Sequence, residues 1–252
     1  MNILITNDDG VDSEGIQKLA AALRSKGGHR IFVVAPDSNR SGVSHAVSLL
    51  NGPVKLSKLG DDIYSCSGYP VDCVILAFLG ALAEKPDLVL SGINRGENLG
   101  TDIIYSGTAA AARQGGLAGI PSIALSLAGG DPFYWDMAAS WVADHLEELA
   151  AFWEREGFVN VNIPNSPNGP EGLVAAWPAR KTYHDALTVL NTKDDVSWYL
   201  LEGEPELSAT QTGSDCDVIS RNYVSVSSVY NYPVGNLGPS GPRWGFPVLH
   251  KK

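Results

Sequence analysis

The feature that most constrains this chain is its opening stretch, Met1-Asn2-Ile3-Leu4-Ile5-Thr6-Asn7-Asp8-Asp9-Gly10. Ile3, Leu4 and Ile5 form an unbroken apolar run, the pattern of a strand covered on both faces in a parallel sheet. The run stops at two adjacent carboxylates and a glycine. In open α/β sheets ligands lie outside the carboxyl ends of the strands, which puts Asp8 and Asp9 at the rim where chemistry happens. Neighbouring carboxylates repel, and a hard divalent cation between them is the simplest relief. Taken alone, Asp-Asp-Gly fits a solvated strand-to-helix turn with an Asx cap better, so the rest of the chain has to decide.

Further along, apolar periodicity alternates between strand and helix. Ile16, Leu19, Ala20 and Leu23 recur at helical spacing and stop at Gly27-Gly28. Ile31 to Val34 is a second buried strand, followed by the polar loop Ser38-Asn39-Arg40-Ser41-Gly42. Residues 43 to 66 read as short strands or a hairpin, with turns near Asn51-Gly52-Pro53 and Gly60-Asp61. Pro70 opens a helix with Val71, Val74, Ile75, Phe78 and Leu82 on its inner face. Asp87 to Leu90 is a third strand, running into a long, glycine-shaped loop from Ser91 to Gly100. Ser106-Gly107-Thr108 leads into Ala109 to Ala112, a run that favours a helix lying close to the sheet. Ser122 to Leu125 is a fourth strand. Trp135, Ala138, Val142, Leu146, Leu149 and Trp153 mark one long helix, and Val159 to Pro164 is a fifth strand.

Past residue 165 helical periodicity gives way to β-type alternation at Leu173 to Trp177, Trp198 to Leu201 and Tyr223 to Val229. The stretch from Tyr230 to Lys252 is rich in Pro, Gly and aromatics and shows neither period. The expected fold is therefore α/β: a Rossmann-like three-layer α/β/α arrangement with a mostly parallel central sheet and a β-rich C-terminal extension. Residues 1–252 are read as one domain, with a core over about 1–164 and the extension and arm over about 165–252.

Three strand ends now offer oxygen ligands to one place: Asp8 and Asp9, Ser41, and Asn94. Two carboxylates, a hydroxyl and an amide carbonyl suit one Mg²⁺ or Mn²⁺ better than zinc, which prefers His and Cys. Singly, Ser41 is an ordinary turn hydroxyl and Asn94 an ordinary turn residue. Ser106, Gly107 and Thr108 stand where a helix begins, a place that either caps the helix or cradles an anion. His45 is either a proton donor to a leaving group or a structural histidine. Arg40 and Arg95 either meet a phosphate or pair with carboxylates on the surface.

Charge narrows the partners. With 28 acidic against 18 basic residues and a net charge of −10, a nucleic-acid duplex is not an expected ligand. The three cysteines are scattered and odd in number, as in a reducing compartment. The longest apolar run, Cys73 to Ala83, is too short to span a bilayer, and Met1 leads straight into a strand. No membrane association and a cytoplasmic location are the expectations.

Together these segments resemble the SurE family, the stationary-phase survival proteins that are metal-dependent nucleotidases. The likeness rests on Asn7-Asp8-Asp9-Gly10, Ala35-Pro36 with Arg40-Ser41-Gly42, Ser91-Gly92-Ile93-Asn94 with Gly96 and Asn98-Leu99-Gly100, and Tyr105-Ser106-Gly107-Thr108-Ala109-Ala110. Pro70, Asp72-Cys73-Val74 and Asn160-Val161-Asn162-Ile163-Pro164 are similar to family segments too. The resemblance implies metal ligation by Asp8, Asp9, Ser41 and Asn94, with Asp8 and Asp9 as the catalytic pair. The substrate phosphate would meet Asn98, Ser106, Gly107 and Thr108. It also implies hydrolysis of nucleoside monophosphates as a 5′-nucleotidase, with 3′-nucleotidase and short-chain polyphosphatase activities as additional expectations. A homodimer, or a tetramer, formed through the C-terminal arm is the implied assembly. Two positions depart from the family pattern: Tyr69 stands in place of the usual Thr, and Ser227-Ser228-Val229 in place of Thr-Pro-Leu. A haloacid-dehalogenase-type phosphatase is excluded by Asn7, which stands where that chemistry needs a nucleophilic Asp. A non-catalytic nucleotide-binding module is the alternative from another class.

Overall fold

The apolar run Ile3-Leu4-Ile5 does become the centre of a sheet, in a computed structural model that describes residues 1–206, 211–233, 237–238 and 241–242. The strands are β1 (Asn2–Thr6), β2 (Arg30–Pro36), β3 (Leu56–Gly60), β4 (Ile63–Cys66), β5 (Leu88–Arg95), β6 (Ser122–Ala128), β7 (Gly157–Pro164), β8 (Leu173–Ala175), β9 (Thr182–Lys193), β10 (Val196–Glu206) and β11 (Val224–Tyr230). Nine of them form one sheet in the order β3-β4-β2-β1-β5-β6-β7-β11-β8. The pairs from β4 across to β7 are parallel, while β3 on β4 and β11 on β7 are antiparallel. Strands β9 and β10 form a separate antiparallel hairpin, and the two-residue segments Leu237–Gly238 and Gly241–Pro242 form another antiparallel pair.

The helices are α1 (Glu14–Lys26), α2 (Pro70–Leu76), α3 (Gly107–Leu117), α4 (Trp135–Asp144), α5 (Leu146–Ala151) and α6 (Asp215–Ser220). Strand alternation assigns them to layers. Ile3 and Ile5 face Ile16, Leu19 and Leu23 of α1, Val142 of α4 and Leu149 of α5. Leu4 faces the other way, with Phe32, Cys73 and Val74 of α2 and Ala111 of α3. Each fully buried Leu or Ile contributes about 1.5–3 kcal/mol relative to exposure. The buried run Ala109 to Ala112 carries no bulk that would hold α3 off the sheet. No helix among the described residues is long and apolar enough to cross a membrane.

Four features differ from the expectations. β5 runs through Arg95, so Asn94 belongs to the strand and the loop is shorter than expected. Its register against β6 slips between Ser91 and Asn94, a bulge that re-aims the residues following it. Gly92 makes that possible: its φ is +140°, and a Cβ there would sit 2.2 Å from the Leu125 carbonyl oxygen. The long helix expected over 135–153 is broken at His145, whose Nδ1 lies 2.8 Å from the Trp141 carbonyl oxygen and whose ring stacks on Trp141. α6, six residues long, shows no periodicity to read. β9 was not foreseen, because its residues are exposed throughout and do not alternate. Its two-residue turn, Asp194-Asp195, takes positive φ at both positions, which matches the twist of a tight hairpin.

Candidate active site

β1 has β2 on one side and β5 on the other, so the gap beyond their carboxyl ends is a topological switch point. Asn7 shapes the turn that enters it. Its Nδ2 donates to the Gly10 carbonyl at 2.9 Å and to Ser13 Oγ at 2.7 Å, and its Oδ1 accepts from the Gly10 N–H at 3.2 Å.

Asp8 is buried and accepts a hydrogen bond from the Thr108 hydroxyl at 2.5 Å. The N-terminus of α3 reaches it because residue 107 is glycine: a Cβ at that position would lie 2.8 Å from Asp8 Cβ and 2.9 Å from its Oδ2. Burial above all pushes the Asp8 carboxyl up to about 6, with the Asp9 charge adding to it and the Thr108 hydrogen bond opposing it. Asp9 is half-buried, and its Oδ2 accepts from the backbone N–H of Arg95 at 3.1 Å. Burial raises its carboxyl as well, against the bond and charge of Arg95.

Asn94 donates through Nδ2 to the Gly96 carbonyl at 2.9 Å, and its Oδ1 lies 3.5 Å from Thr108 Oγ1. The amide oxygen is thus on the Asp8 side of the cleft. Ser41 sits exposed on the loop after β2, its N–H bonded to Asn39 Oδ1 at 2.8 Å. That loop is tied to β1 next door, where Arg40 N–H donates to the Asp8 carbonyl at 2.7 Å. Among the described residues no group of three or more His, Cys, Asp and Glu side chains is placed to hold a metal ion. A cation at this rim would rely on neutral oxygens beside the two carboxylates.

The expected phosphate residues are in different situations. Ser106 caps α3, its Oγ accepting from the Ala109 N–H at 3.0 Å, which leaves the hydroxyl proton to donate. Thr108 directs its proton to Asp8. Asn98 is buried in an amide cluster: its N–H donates to Asn162 Oδ1 (2.8 Å), its Nδ2 to Ser126 Oγ (2.9 Å), and its carbonyl accepts from Asn160 and Asn162. Arg40 is engaged with Asp37, and Arg95 with Asp131. His45 contacts Gln114 of α3 at 3.1 Å, and burial lowers its pKa.

Residue-by-residue reading missed the groups that hold these loops. Asp72 is buried and accepts from the Ser48 and Leu49 N–H groups and from Tyr69 N–H, fastening the segment after the Ser41 loop to α2. Tyr69, one of the two departures from the family pattern, lies with its ring 5.9 Å from the Arg40 guanidinium. Asp215, also buried, accepts from the Gly100 N–H at 2.7 Å and from the Ala179 N–H at 2.9 Å. Asn160 and Asn162 had a signal available: two amides two residues apart in an otherwise apolar strand share one face.

The family model described as "Survival protein SurE" matches residues 3–185, a span that includes every residue of the rim. The chain belongs to the SurE family. Its relatives include a protein of Thermosipho africanus named 5'-nucleotidase SurE, 39% identical over 235 residues and covering 91% of each chain. Another protein of the same name, from Acinetobacter baumannii strain SDF, is 41% identical over 242 residues, covering 91% of this chain and 93% of that one. Among solved structures, the SurE protein from Aquifex aeolicus superposes with a TM-score of 0.81 at 35% identity, covering 93% of this chain and 95% of that one. The SurE family assignment agrees with the mostly parallel sheet and the β-rich strands that follow it.

Proposed function

We propose that this chain is a metal-dependent 5′-nucleotidase that hydrolyses nucleoside monophosphates to nucleoside and phosphate; its relatives are named 5'-nucleotidase SurE. The observation that carries this reading is the convergence of Asp8 and the Asn94 amide oxygen on Thr108 at the N-terminus of α3, with Asp9 next to Asp8 in the chain. The donor set fits a hard divalent cation. Two carboxylates, one of them buried, stand side by side with their pKa values raised, and the neighbouring donors are uncharged oxygens.

A single Mg²⁺ or Mn²⁺, held by Asp8, Asp9, Ser41 and Asn94, would supply Lewis acidity toward a phosphoryl oxygen and a more acidic water. Asp8, fixed by Thr108 and Gly107, sets the position of the charge. Asp9, the more exposed of the pair, orients the attacking water and takes its proton. Asn94 and Ser41 add oxygens without adding charge. The Ser106 hydroxyl, the first backbone N–H groups of α3 and the second amide hydrogen of Asn98 hold phosphate oxygens. Asn7 keeps the reaction free of an aspartyl-phosphate intermediate, since an amide is no nucleophile and both of its ends are engaged in the turn.

The test is phosphate release from 5′- and 3′-nucleoside monophosphates and short polyphosphates, with each metal and with excess chelator. Turnover of 5′-monophosphates that stops on chelation and returns with metal supports the reading. Full activity in chelator overturns the metal role. Binding without turnover in all conditions favours the non-catalytic module.

Assembly and location belong to the same proposal. The expected homodimer, or tetramer, was placed on the arm from Tyr230 onward. Trp244, Phe246 and Val248 of that arm lie outside the described residues, while Tyr230 and Tyr232 are exposed. The apolar side chains exposed along β9 and β10 also favour association of copies. A mass measurement in solution, with and without residues 230–252, decides whether the arm is the main contact. The free thiols Cys66, Cys73 and Cys216 agree with a cytoplasmic setting.

A further inference from the structure

Three residues beyond Ser41 the chain holds a side-chain-bearing residue in a conformation that costs it energy. Ser44 has a φ of +54°, in the left-handed region that residues other than glycine keep only where their surroundings hold them there. Two hydrogen bonds to consecutive carbonyls do the holding. The Ser44 N–H donates to the Tyr105 carbonyl at 3.0 Å, and its hydroxyl donates to the Ile104 carbonyl at 2.7 Å. Ile104 ends the 3₁₀ turn Gly100–Ile104, Tyr105 follows it, and the next residue is Ser106, the cap of α3.

Ser41 therefore stands between two ties. On one side the Arg40 N–H is bonded to the Asp8 carbonyl at 2.7 Å. On the other, Ser44 is bonded to the approach to α3. The helix returns to the start through the Thr108 hydroxyl, which donates to Asp8. The end of β1, the Ser41 loop and the entry of α3 thus form a closed ring of contacts, and Ser44 is the link between the last two. The segment's other ties, His45 on Gln114 and Ser48 and Leu49 on Asp72, come later in the chain and so farther along it from Ser41. Ser41 is itself exposed, so packing does little to place it.

We propose that Ser44 is a positioning residue: it sets where the Ser41 oxygen stands relative to Asp8 and the start of α3. The proposal rests on the reading above only for Ser41 as a ligand of the cation. Ser44 touches neither cation nor substrate. With the brace in place, the loop gives up its freedom when the chain folds instead of when the cation is captured, and such preorganisation appears as affinity. Loss of the brace should weaken the cation more than phosphate, because Ser106 and the first N–H groups of α3 are held by the helix.

The test is binding of Mn²⁺ to the full-length protein without nucleotide, followed by the electron paramagnetic resonance of the free ion. Ser44→Gly removes the hydroxyl and relieves the backbone, so its urea midpoint should stay near the native one. Its Mn²⁺ affinity should nevertheless fall about fivefold, the scale of one lost hydrogen bond. Ser44→Ala keeps the backbone bond and loses the hydroxyl, and its affinity should fall as well. The double variant Ser41→Ala with Ser44→Gly should bind no more weakly than Ser41→Ala alone, since one residue acts through the other. Inhibition by inorganic phosphate at saturating metal should stay native in Ser44→Gly. Native Mn²⁺ affinity in both Ser44 variants overturns the proposal. So do losses that multiply in the double variant, or a loss of affinity matched by a loss of stability. If the native chain binds Mn²⁺ but releases no phosphate from nucleotides, the nucleotidase reading fails and the brace is judged on the same affinities. If the native chain binds no Mn²⁺, the metal reading and the brace fail together.

Discussion

The rim around Asp8 and the β9–β10 hairpin are built on opposite terms. At the rim the loops are over-determined. Asn7 closes one turn, Asp72 fastens the segment after the Ser41 loop, Asp215 grips Gly100, and Asn160 and Asn162 share the carbonyl of Asn98. These anchoring bonds start from buried side chains and end on backbone groups. Along the hairpin Leu187, Trp198 and Leu201 are 67, 51 and 64% exposed. A lone two-stranded ribbon is marginal in water, and this one is fixed at its base. There Lys181 and Tyr183 both bond Asp102 in the turn before α3, and Lys181 also pairs with Thr101. Buried polar anchors hold the geometry of the proposed site, whereas apolar residues without cover suit a surface that another chain can complete.

The largest effect that would sharpen this contrast is at the rim. Asp9→Asn should lower kcat at least about a thousandfold, ~4 kcal/mol, with unchanged urea unfolding, since the side chain packs no core. Near-native kcat would remove Asp9 from the chemistry. Next in size, Asp215→Ala leaves the N–H groups of Gly100 and Ala179 buried without their acceptor. It should cost about 3 kcal/mol in denaturant unfolding and reduce activity although Asp215 touches no substrate. A cost below about 1 kcal/mol would show that the anchor is dispensable.

The third effect has the opposite sign. Asp8 titrates near 6 when folded against an ordinary 3.8, so between those values the folded chain binds more protons than the unfolded one. Metal-free protein should therefore lose stability as the pH rises from about 4 to about 6, and hold steady above that as far as this group is concerned. Asp8→Asn should flatten that slope and raise metal-free stability at pH 7 by on the order of 1–3 kcal/mol, while abolishing activity. A native slope in the variant would place the titrating group elsewhere. The smallest effect is on the hairpin: Leu187→Ser with Leu201→Ser should change the stability of a dissociated chain by less than about 0.5 kcal/mol yet lower the mass measured in solution. A large loss of stability with unchanged mass would mean that the ribbon packs on its own chain.

What could be read in the sequence follows from how local each signal is. Asp8 and Asp9 were placed at the rim because they follow closely on a buried apolar run, and Ser41 because its loop leaves the end of the next strand, a fixed location in this architecture. Asn94 was read as a loop residue after β5 and proves to lie in the strand, beyond a bulge that residue patterning does not show. Asp72 and Asp215 were not visible as anchors, since each acts on backbone groups that only the folded chain brings near. The hairpin was half seen at Trp198 to Leu201 and missed over β9, where both faces carry apolar residues and alternation is lost. Ser106 shows the remaining ambiguity: the same hydroxyl caps α3 and keeps a proton for a ligand.

The hydrogen bonds at the rim also fix an order in time. Asp8 is bonded by Thr108, Asn98 by Asn162, and Gly100 by Asp215. A chain made from its N-terminus at 5–20 residues per second takes roughly 10–40 s to go from Asp8 to Asp215. The partners of the acidic pair, Arg95 and Thr108, are made about halfway through that interval, and the anchors of Asn98 and Gly100 only towards its end. A nascent chain stalled before α6 should therefore hold the acidic pair in place but lack the Asp215 acceptor that fixes the loop at Gly100.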